Sequence, residues 1–287
     1  MFKTIGVFGK YRDTSVELPL KELTSHLEDK GYNVKLGHTT AAEITRQLPQ
    51  ERLEETVPSD IDLAIVIGGD GTFLHVARHM ATAAIPVAGI NLGRLGFLTD
   101  IPRAKMLYEV DRILAGEFSI EERMMLKVAV HDDANNLVYE QDALNDIVIG
   151  KHALERLISW QAKVDGQLIT SARSDGVIFA TPTGSTAYAL SAGGAIVHPG
   201  TDVISLVPVS PHTLSNRPII LPANLSIQVS IQNRTANLAH VSADGLIGYN
   251  LHGTETVTVK RSTHSVKIVH TKSYNYFAML RVKLGWG

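Results

Sequence analysis

The sequence predicts an α/β N-terminal domain with a mainly parallel sheet, followed by an all-β, antiparallel, sandwich-like C-terminal domain. Three observations carry this. Up to about residue 120, apolar runs of strand length alternate with segments whose apolar residues recur at helical spacing, the pattern of a parallel sheet with helices packed on it. Beyond that point strand-like segments dominate, and Leu225 to Gln232 alternates apolar and polar residues like a half-buried strand. Between the apolar run Leu63–Ile67 and the helical pattern from Phe73 lies a turn made almost entirely of glycine, Gly68-Gly69-Asp70-Gly71-Thr72. The expected division is 1–120 for the α/β domain and 121–270 for the β domain, with the tail 271–287 packing back on the first.

The elements follow in order. Ile5 to Phe8 reads as a strand, Val16, Leu20, Leu23 and Leu27 mark a helix face, and Gly31 supplies its stop. Tyr32–Leu36, Leu63–Ile67 and Ile85–Ile90 are the next strands. Phe73, Val76, Ala77, Met80 and Ala84 line the helix after the glycine turn. Pro102 stands near a further helix start, Leu107, Val110 and Leu114 form its face, and Gly116 ends it. In the second domain Met125–Val130, Ile147–Ile149, Ile158–Val164, Val177–Ala180, Glu255–Lys260 and Ser265–His270 read as strands. Tyr276, Phe277, Leu280 and Leu284 give the tail an apolar content suited to packing.

Composition narrows the function classes. The 287 residues are 44% hydrophobic and 20% charged, ordinary for a soluble globular protein with two cores. The formal net charge of -2, with Lys and Arg spread along the chain, lacks the basic footprint of a nucleic-acid binder. Absence of cysteine excludes disulfides and thiolate metal sites. The N-terminus lacks a signal peptide's apolar core, and the uncharged stretch Met80–Gly93 is too short to span a bilayer. The expectation is a cytoplasmic protein without membrane or nucleic-acid partners, in which the glycosylation patterns at Asn224 and Asn233 carry no meaning.

The chemistry concentrates in a few segments. Gly68, Gly69 and Gly71 leave room for a ligand to approach main chain, and the helix that follows offers N–H groups and a positive dipole end to a phosphate. Asp70 brings proton chemistry into that loop; like charges repel, so a carboxylate there suits a base or an orienter of an attacking hydroxyl. The competing reading is an ordinary Asp-Gly connector. No Gly-x-x-x-x-Gly-Lys-Ser/Thr and no Gly-x-Gly-x-x-Gly after the first strand is present, which argues against P-loop enzymes and ordinary dinucleotide dehydrogenases. Gly89–Asp100 ends another strand with three turn glycines and Arg94, equally readable as a nucleotide contact or a plain loop. Asn145-Asp146 can bind ribose hydroxyls or an adenine edge, or simply turn the chain. Arg173-Ser174-Asp175-Gly176 leads into a strand, and Thr181–Gly194 follows it with four hydroxyls in six residues, a donor-rich segment or a capped helix start. The absence of a Gly-x-Ser-x-Gly elbow argues against a serine hydrolase. His75 and His79 share zinc-like spacing but lack the Glu of His-Glu-x-x-His, so packing or surface roles are favoured. Ser242–Gly245 reads as a turn between strands.

Taken together, Gly68–Thr72, Gly89–Asp100, Asn145-Asp146, Arg173–Gly176 and Thr181–Gly194 resemble the bacterial ATP-dependent NAD kinases, in order and over nearly the whole chain. The first motif is shared with lipid kinases and, distantly, phosphofructokinases; the combination with Asn91–Phe97 and Thr181–Tyr188 is specific. The resemblance implies transfer of the γ-phosphoryl group of ATP, with Mg²⁺ or another divalent cation, to the 2′-hydroxyl of NAD's adenosine ribose, giving NADP. It implies Asp70 as base or orienter, with Gly68, Gly69, Gly71 and Thr72 as the phosphate-donor loop. Asn145 and Asp146 would hold adenine and ribose, and Phe97 would line the adenine pocket. Asp175, Thr186, Ala187, Tyr188, Ala189, Leu190 and Ser191 would line the dinucleotide pocket between the domains, with Arg173 adding positive charge. Apart from the resemblance, the place of Arg156 after the Asn145 strand puts a dinucleotide phosphate within its expected reach. The resemblance also implies a homo-oligomer, often a tetramer; the residues themselves point to no metal ligands. The chain departs from the family pattern at Asp146, where Glu is usual, and at Leu246, where Gln is frequent. Two other classes stay open on the residues: a lipid kinase with the same glycine turn, and a non-catalytic dinucleotide sensor.

Overall fold

The computed structural model describes residues 2–9, 14–37, 60–93, 95–152, 157–213, 215–232 and 239–286. The chain divides into one unit formed by Met1–Glu122 with Val266–Gly287 and another formed by Arg123–Ser265.

In the first unit the strands β1 (Thr4–Gly9), β2 (Asn33–Leu36), β3 (Leu63–Ile67) and β4 (Val87–Asn91) lie in the order β2-β1-β3-β4, all parallel. The short β5 (Ile101–Pro102) pairs with β4, and so does the end of the chain's last strand, β17 (Thr256–Thr271), with Ile268 opposite Val87. Both pairings are parallel. Helix α1 (Glu17–Asp29) buries Leu20, Leu23, Thr24 and Leu27, the face that the 3.6-residue period demands. With α3 (Met106–Leu114) it packs on Ile5, Val7, Leu63, Ile65 and Ile67. Helix α2 (Asp70–Thr82) buries Phe73, Val76, Ala77 and Met80 and lies against β3 and β4. β3 is buried at all five positions, which is why it reads as a continuous apolar run rather than an alternation. Gly31 and Gly116 take positive φ, 83° and 88°, just beyond α1 and α3, as stop signals do.

The tail also belongs to this unit. Its helix α5 (Tyr276–Leu284) is capped by the Asn275 side chain, which accepts from the Ala278 N–H at 2.8 Å, and it buries Met279 and Leu280.

The second unit is antiparallel. One sheet runs β13 (Ile219–Pro222), β12 (Val203–Val209), β11 (Gly176–Ala180), β8 (Asp146–Lys151), β15 (Ala239–Ala243) and β16 (Leu246–Leu251). The other layer holds β10 (Gln167–Ser174), β9 (Ile158–Val164), β14 (Ile227–Ile231) and the first part of β17. The hairpin of β6 (Phe118–His131) with β7 (Leu137–Ala143) adjoins β17. Ile147, Ile149, Val177 and Phe179 of one layer and Trp160, Ala162, Ile227 and Val229 of the other share one core, so the layers form a sandwich. The α/β-plus-antiparallel fold class is therefore borne out.

Two local expectations change. Glu255–Lys260 and Ser265–His270 are one strand, because the polar stretch between them is strand with solvent on one side; Arg261 and Thr263 are exposed, while the buried Ser262 donates to Asp142 Oδ2 at 3.0 Å. The run after Thr181 is a 3₁₀ turn, Thr183–Thr186, and the four-residue helix α4 (Tyr188–Ser191), with Gly193 at φ 87°. Among the described residues no helix is long and apolar enough to cross a membrane.

Candidate active site

Parallel neighbours deliver their following loops to the same edge of a sheet. β3 and β4 are such neighbours, so the turn Gly68–Asp70 and the loop after Asn91 meet although they are far apart in sequence. The meeting is made by Asp70. Its Oδ2 accepts from the Phe97 N–H at 2.8 Å, and its Oδ1 accepts from Leu98 N–H at 3.0 Å, Thr99 N–H at 3.2 Å and Thr99 Oγ1 at 3.3 Å. Oδ1 is thus fully engaged, while Oδ2 has one donor and room for another. The residue is half-buried and so keeps access to solvent.

The glycines around it have separate reasons. A Cβ on Gly96 would overlap Asp70 Oδ1 and Thr99 Oγ1, and one on Gly89 would come within 2.5 Å of Leu98 O. A Cβ on Gly68 would meet Thr72 Oγ1 at 2.8 Å. These three are glycine because the chain itself fills the space. Around Gly69 and Gly71 nothing lies within 4 Å, neither has a positive φ, and both are exposed. Neither packing nor strain demands glycine there, and the open lane borders the first N–H groups of α2, which have no partner within the helix. An open lane at a helix start has the space and the donors to receive an anion.

A second cluster is built in the other unit. β8 and β11 pair so that Asp146 lies opposite Ala180, which brings Asn145-Asp146 beside the turn from Thr181. Thr181 Oγ1 donates to Leu144 O at 2.6 Å and accepts from Gly184 N–H at 3.0 Å; Thr181 N–H donates to Asn145 O at 2.9 Å. Gly184 packs so close to Asn145 that a Cβ would overlap its carbonyl. Buried Arg123 donates from Nη1 to Thr183 Oγ1 at 3.2 Å. From the far side Asp244 clamps the segment: Oδ2 accepts from Leu144 N–H at 3.0 Å, and Oδ1 accepts from Asn145 N–H at 2.7 Å and Asp146 N–H at 3.2 Å.

The consequence is electrostatic. The Asp146 carboxyl is pushed up to about 7, chiefly by burial and next by the charge of Asp244, against the pull of the Tyr188 N–H. Of the two acids, Asp244 holds three amide donors and remains the acceptor, so the proton resides on Asp146. Near neutral pH Asp146 can donate to a ligand when protonated and accept when ionised.

Asn145, Asp146, Thr186, Ala187 and Tyr188 therefore share one end of the six-stranded sheet, with Tyr188 46% exposed and Ser191 exposed at the end of α4. Leu190 is half-buried. Ala189 is instead fully buried against Val148, Ile178, Ala180 and Val207, so it supports the turn rather than facing a ligand. Arg173 and Asp175 precede β11 and Thr181 follows it, so the two groups are about 20 Å apart along the strand. Asp175 there pairs with Lys151 at 3.1 Å. Phe97 is half-buried, with Lys283 Nζ 5.3 Å from its ring centroid. Arg94, Arg156 and the Asn233 pattern lie outside the described residues.

The residue that sequence reasoning undervalued is Asp244. The available signal was Asp-Gly at a strand end, here with φ 49° and 78°, but Asp165-Gly166 has the same turn with φ 50° and 76° without a comparable clamp among the described residues. The His75 and His79 rings lie 5.0 Å apart between centroids, tilted by 59°, and the His79 Nδ1 lies 2.8 Å from His75 O. No group of three or more His, Asp or Glu placed to hold a metal occurs among the described residues.

Comparison with known proteins gives this arrangement its class. The families described as ATP-NAD kinase N-terminal domain and ATP-NAD kinase C-terminal domain match residues 10–118 and 144–271. The chain is 41% identical over 287 residues to the NAD kinase of Nitrosomonas europaea, covering 100% of this chain and 96% of that one. It is 39% identical over 289 residues to the NAD kinase of Hydrogenovibrio crunogenus, covering 100% and 99%. Among solved structures it is similar to yeast NADH kinase complexed with NADH, with a TM-score of 0.90, 26% identity and coverage of 99% and 88%. It is also similar to an NAD kinase from Archaeoglobus fulgidus in complex with ATP, with a TM-score of 0.72, 26% identity and 99% of each chain covered. The fold and the site define a nucleotide-phosphorylating enzyme. The chain belongs to the NAD kinase family.

Proposed function

We propose that the chain transfers the γ-phosphoryl group of ATP to the 2′-hydroxyl of NAD's adenosine ribose, giving NADP, with Asp70 as proton acceptor. The observation that carries this is the pairing at one sheet edge of a carboxylate held on a backbone turn with a glycine lane that the chain leaves open. The bond from the hydroxyl oxygen to the γ-phosphorus forms as the β–γ bridging bond breaks, ADP leaves, and the hydroxyl proton passes to Asp70. Such transfer has a loose transition state, so positioning and charge stabilisation carry most of the catalysis. Asp70 aims the hydroxyl through the free capacity of Oδ2 and takes its proton late. The N–H groups at the start of α2, with Gly68, Gly69, Gly71 and Thr72, receive phosphate charge.

Asn145 and Asp146 bind the adenine edge and ribose, with Thr186, Ala187, Tyr188 and Ser191 beside them and Phe97 contributing a ring face. Magnesium would enter on the ATP phosphates, needing few protein ligands, and would supply neutralisation of phosphate charge. The same reading makes the working form a cytoplasmic homotetramer. Ile219 and Ile220 on β13 and Leu246 and Ile247 on β16, exposed on the two edge strands, give assembly an apolar surface to cover. The test is NADP formation from NAD and ATP by the purified chain, with diacylglycerol as a competing acceptor. NADP without lipid phosphorylation supports the reading. Lipid phosphorylation alone, or NAD binding with no product, overturns it.

A further inference from the structure

We propose that the C-terminal return of the chain, through His270 and Lys283, positions Asp70 for the reaction; the inference rests on the proton-accepting role given to Asp70 above. Asp70 does not hold itself. Its carboxylate is fixed by the amides of Phe97, Leu98 and Thr99, so its aim is only as firm as the loop 95–100.

That loop is anchored at both ends by residues of this C-terminal return, His270 near the end of β17 and Lys283 in α5. Asp100, next to Thr99, has a side chain only 7% exposed, and its Oδ2 lies 2.9 Å from Nδ1 of His270, which is itself 1% exposed. The other ring nitrogen of His270 lies 3.2 Å from Glu121 Oε2. Its ring is stacked on Tyr274 with centroids 3.6 Å apart and planes 8° from parallel, which fixes its orientation. Asp100 Oδ1 is buried and has no hydrogen-bond partner among the described residues. The histidine is therefore the main compensation for a buried carboxylate. At the other end, Lys283 Nζ donates to Leu95 O at 2.8 Å and sits over the Phe97 ring. Asn91 Nδ2 adds bonds to Thr99 O at 3.1 Å and Ile101 O at 3.3 Å from within the loop's own strand.

The fold explains the arrangement. β17 runs parallel to β4, so His270, near its end, emerges at the edge where β3 and β4 deliver Asp70 and the loop. Removing the imidazole leaves the Asp100 carboxylate buried and uncompensated, a costly state that the loop relieves by moving Asp100 toward water. That motion withdraws the three amides from Asp70. His270 and Lys283 are positioning residues: neither touches the reacting atoms.

The experiment combines amide hydrogen exchange with a double-mutant cycle on the full-length chain, using His270→Gln and the exposed Lys283→Met, each with Asp70 intact and with Asp70→Asn. The amides of Phe97, Leu98 and Thr99 should lose protection by about tenfold or more in both variants while those of β1 and β3 keep theirs. With Asp70 intact, kcat should fall by about tenfold in His270→Gln, as misplacement of a reacting group does, and less in Lys283→Met. In the Asp70→Asn background neither substitution should lower the residual rate further, because the group they position is gone. Unchanged protection overturns the proposal. An equal fall in kcat in both backgrounds also overturns it, since general loosening would do the same. Failure of the wild type to make NADP sinks the kinase reading instead, and the exchange data still decide whether the C-terminal return holds the Asp70 turn.

Discussion

Asp70 and Asp146 are both carboxylates beside backbone amides, and their surroundings give them different work. Asp70 sits half-exposed on a turn of amide donors, with one oxygen free to take a further bond. Asp70→Asn should leave the dissociation constant for NAD within a few-fold and lower kcat by about 10²-fold or more, the scale of lost general-base catalysis. Stopped-time NADP assays beside NAD titrations separate the two effects. Asp146 is raised to about 7 by burial and by Asp244. Its folded value lies above its ordinary one of 3.8, so the folded chain holds a proton that the unfolded chain releases between those values. Stability from this group is therefore fully present below about pH 4 and is lost as pH rises through about 7. Asp146→Asn should flatten that part of the Tm-against-pH curve and raise Tm at pH 8; an unchanged curve would show that the group titrates elsewhere. Ribose hydroxyls donate best to the ionised form, so KM for NAD should fall as pH rises through about 7 in the wild type, and this trend should vanish in Asp146→Asn.

Among the elements, the turn 144–146 shows what the sequence could and could not disclose. Removal of the Asp244 carboxylate leaves three amides without their acceptor, and Asp244→Ala should destabilise the chain by about 3 kcal/mol, the range for hydrogen bonds to a charged group. KM for NAD should rise with it, because Asn145 and Asp146 lose their support; urea unfolding and steady-state kinetics read both. The loop 95–100 is as sensitive from the opposite direction. A Cβ at Gly96 has no place to go except against Asp70 and Thr99, so Gly96→Ala should reduce kcat by about 10²-fold, as a misplacement of about 1 Å does. Gly69→Ala, with open space beside it, should spare Tm within about 2 °C, since surface substitutions away from such contacts cost little. The glycine turn, the Asn145-Asp146 pair and the hydroxyl-rich Thr181 segment were legible because each is a local pattern. Asp244, His270 and Lys283 were not, because their partners are 98 to 100, 170 and 188 residues away and nothing in an Asp-Gly turn or a strand histidine distinguishes a clamp from a connector.

For the whole molecule, the alternation of strand and helix in the first part and the strand series in the second were readable because β3 and β11 are apolar on both faces and α1 and α2 keep strict helical spacing. The continuity of β17 was not, since its polar middle imitates a turn. That strand carries the chain back to the first unit, where α5 buries Met279 and Leu280. Leu280→Ala should cost about 2–3 kcal/mol, as truncation of a buried leucine does, and thermal unfolding measures it. The central claim is that this fold brings a proton acceptor and an open phosphate cradle to one sheet edge. Its most direct test is NADP formation from NAD, ATP and Mg²⁺ by the purified chain, read through an NADP-specific dehydrogenase, with Asp70→Asn alongside. Turnover by the wild type that falls by about 10²-fold or more in a variant still binding NAD is the expected result. Near-normal turnover in Asp70→Asn would contradict the account.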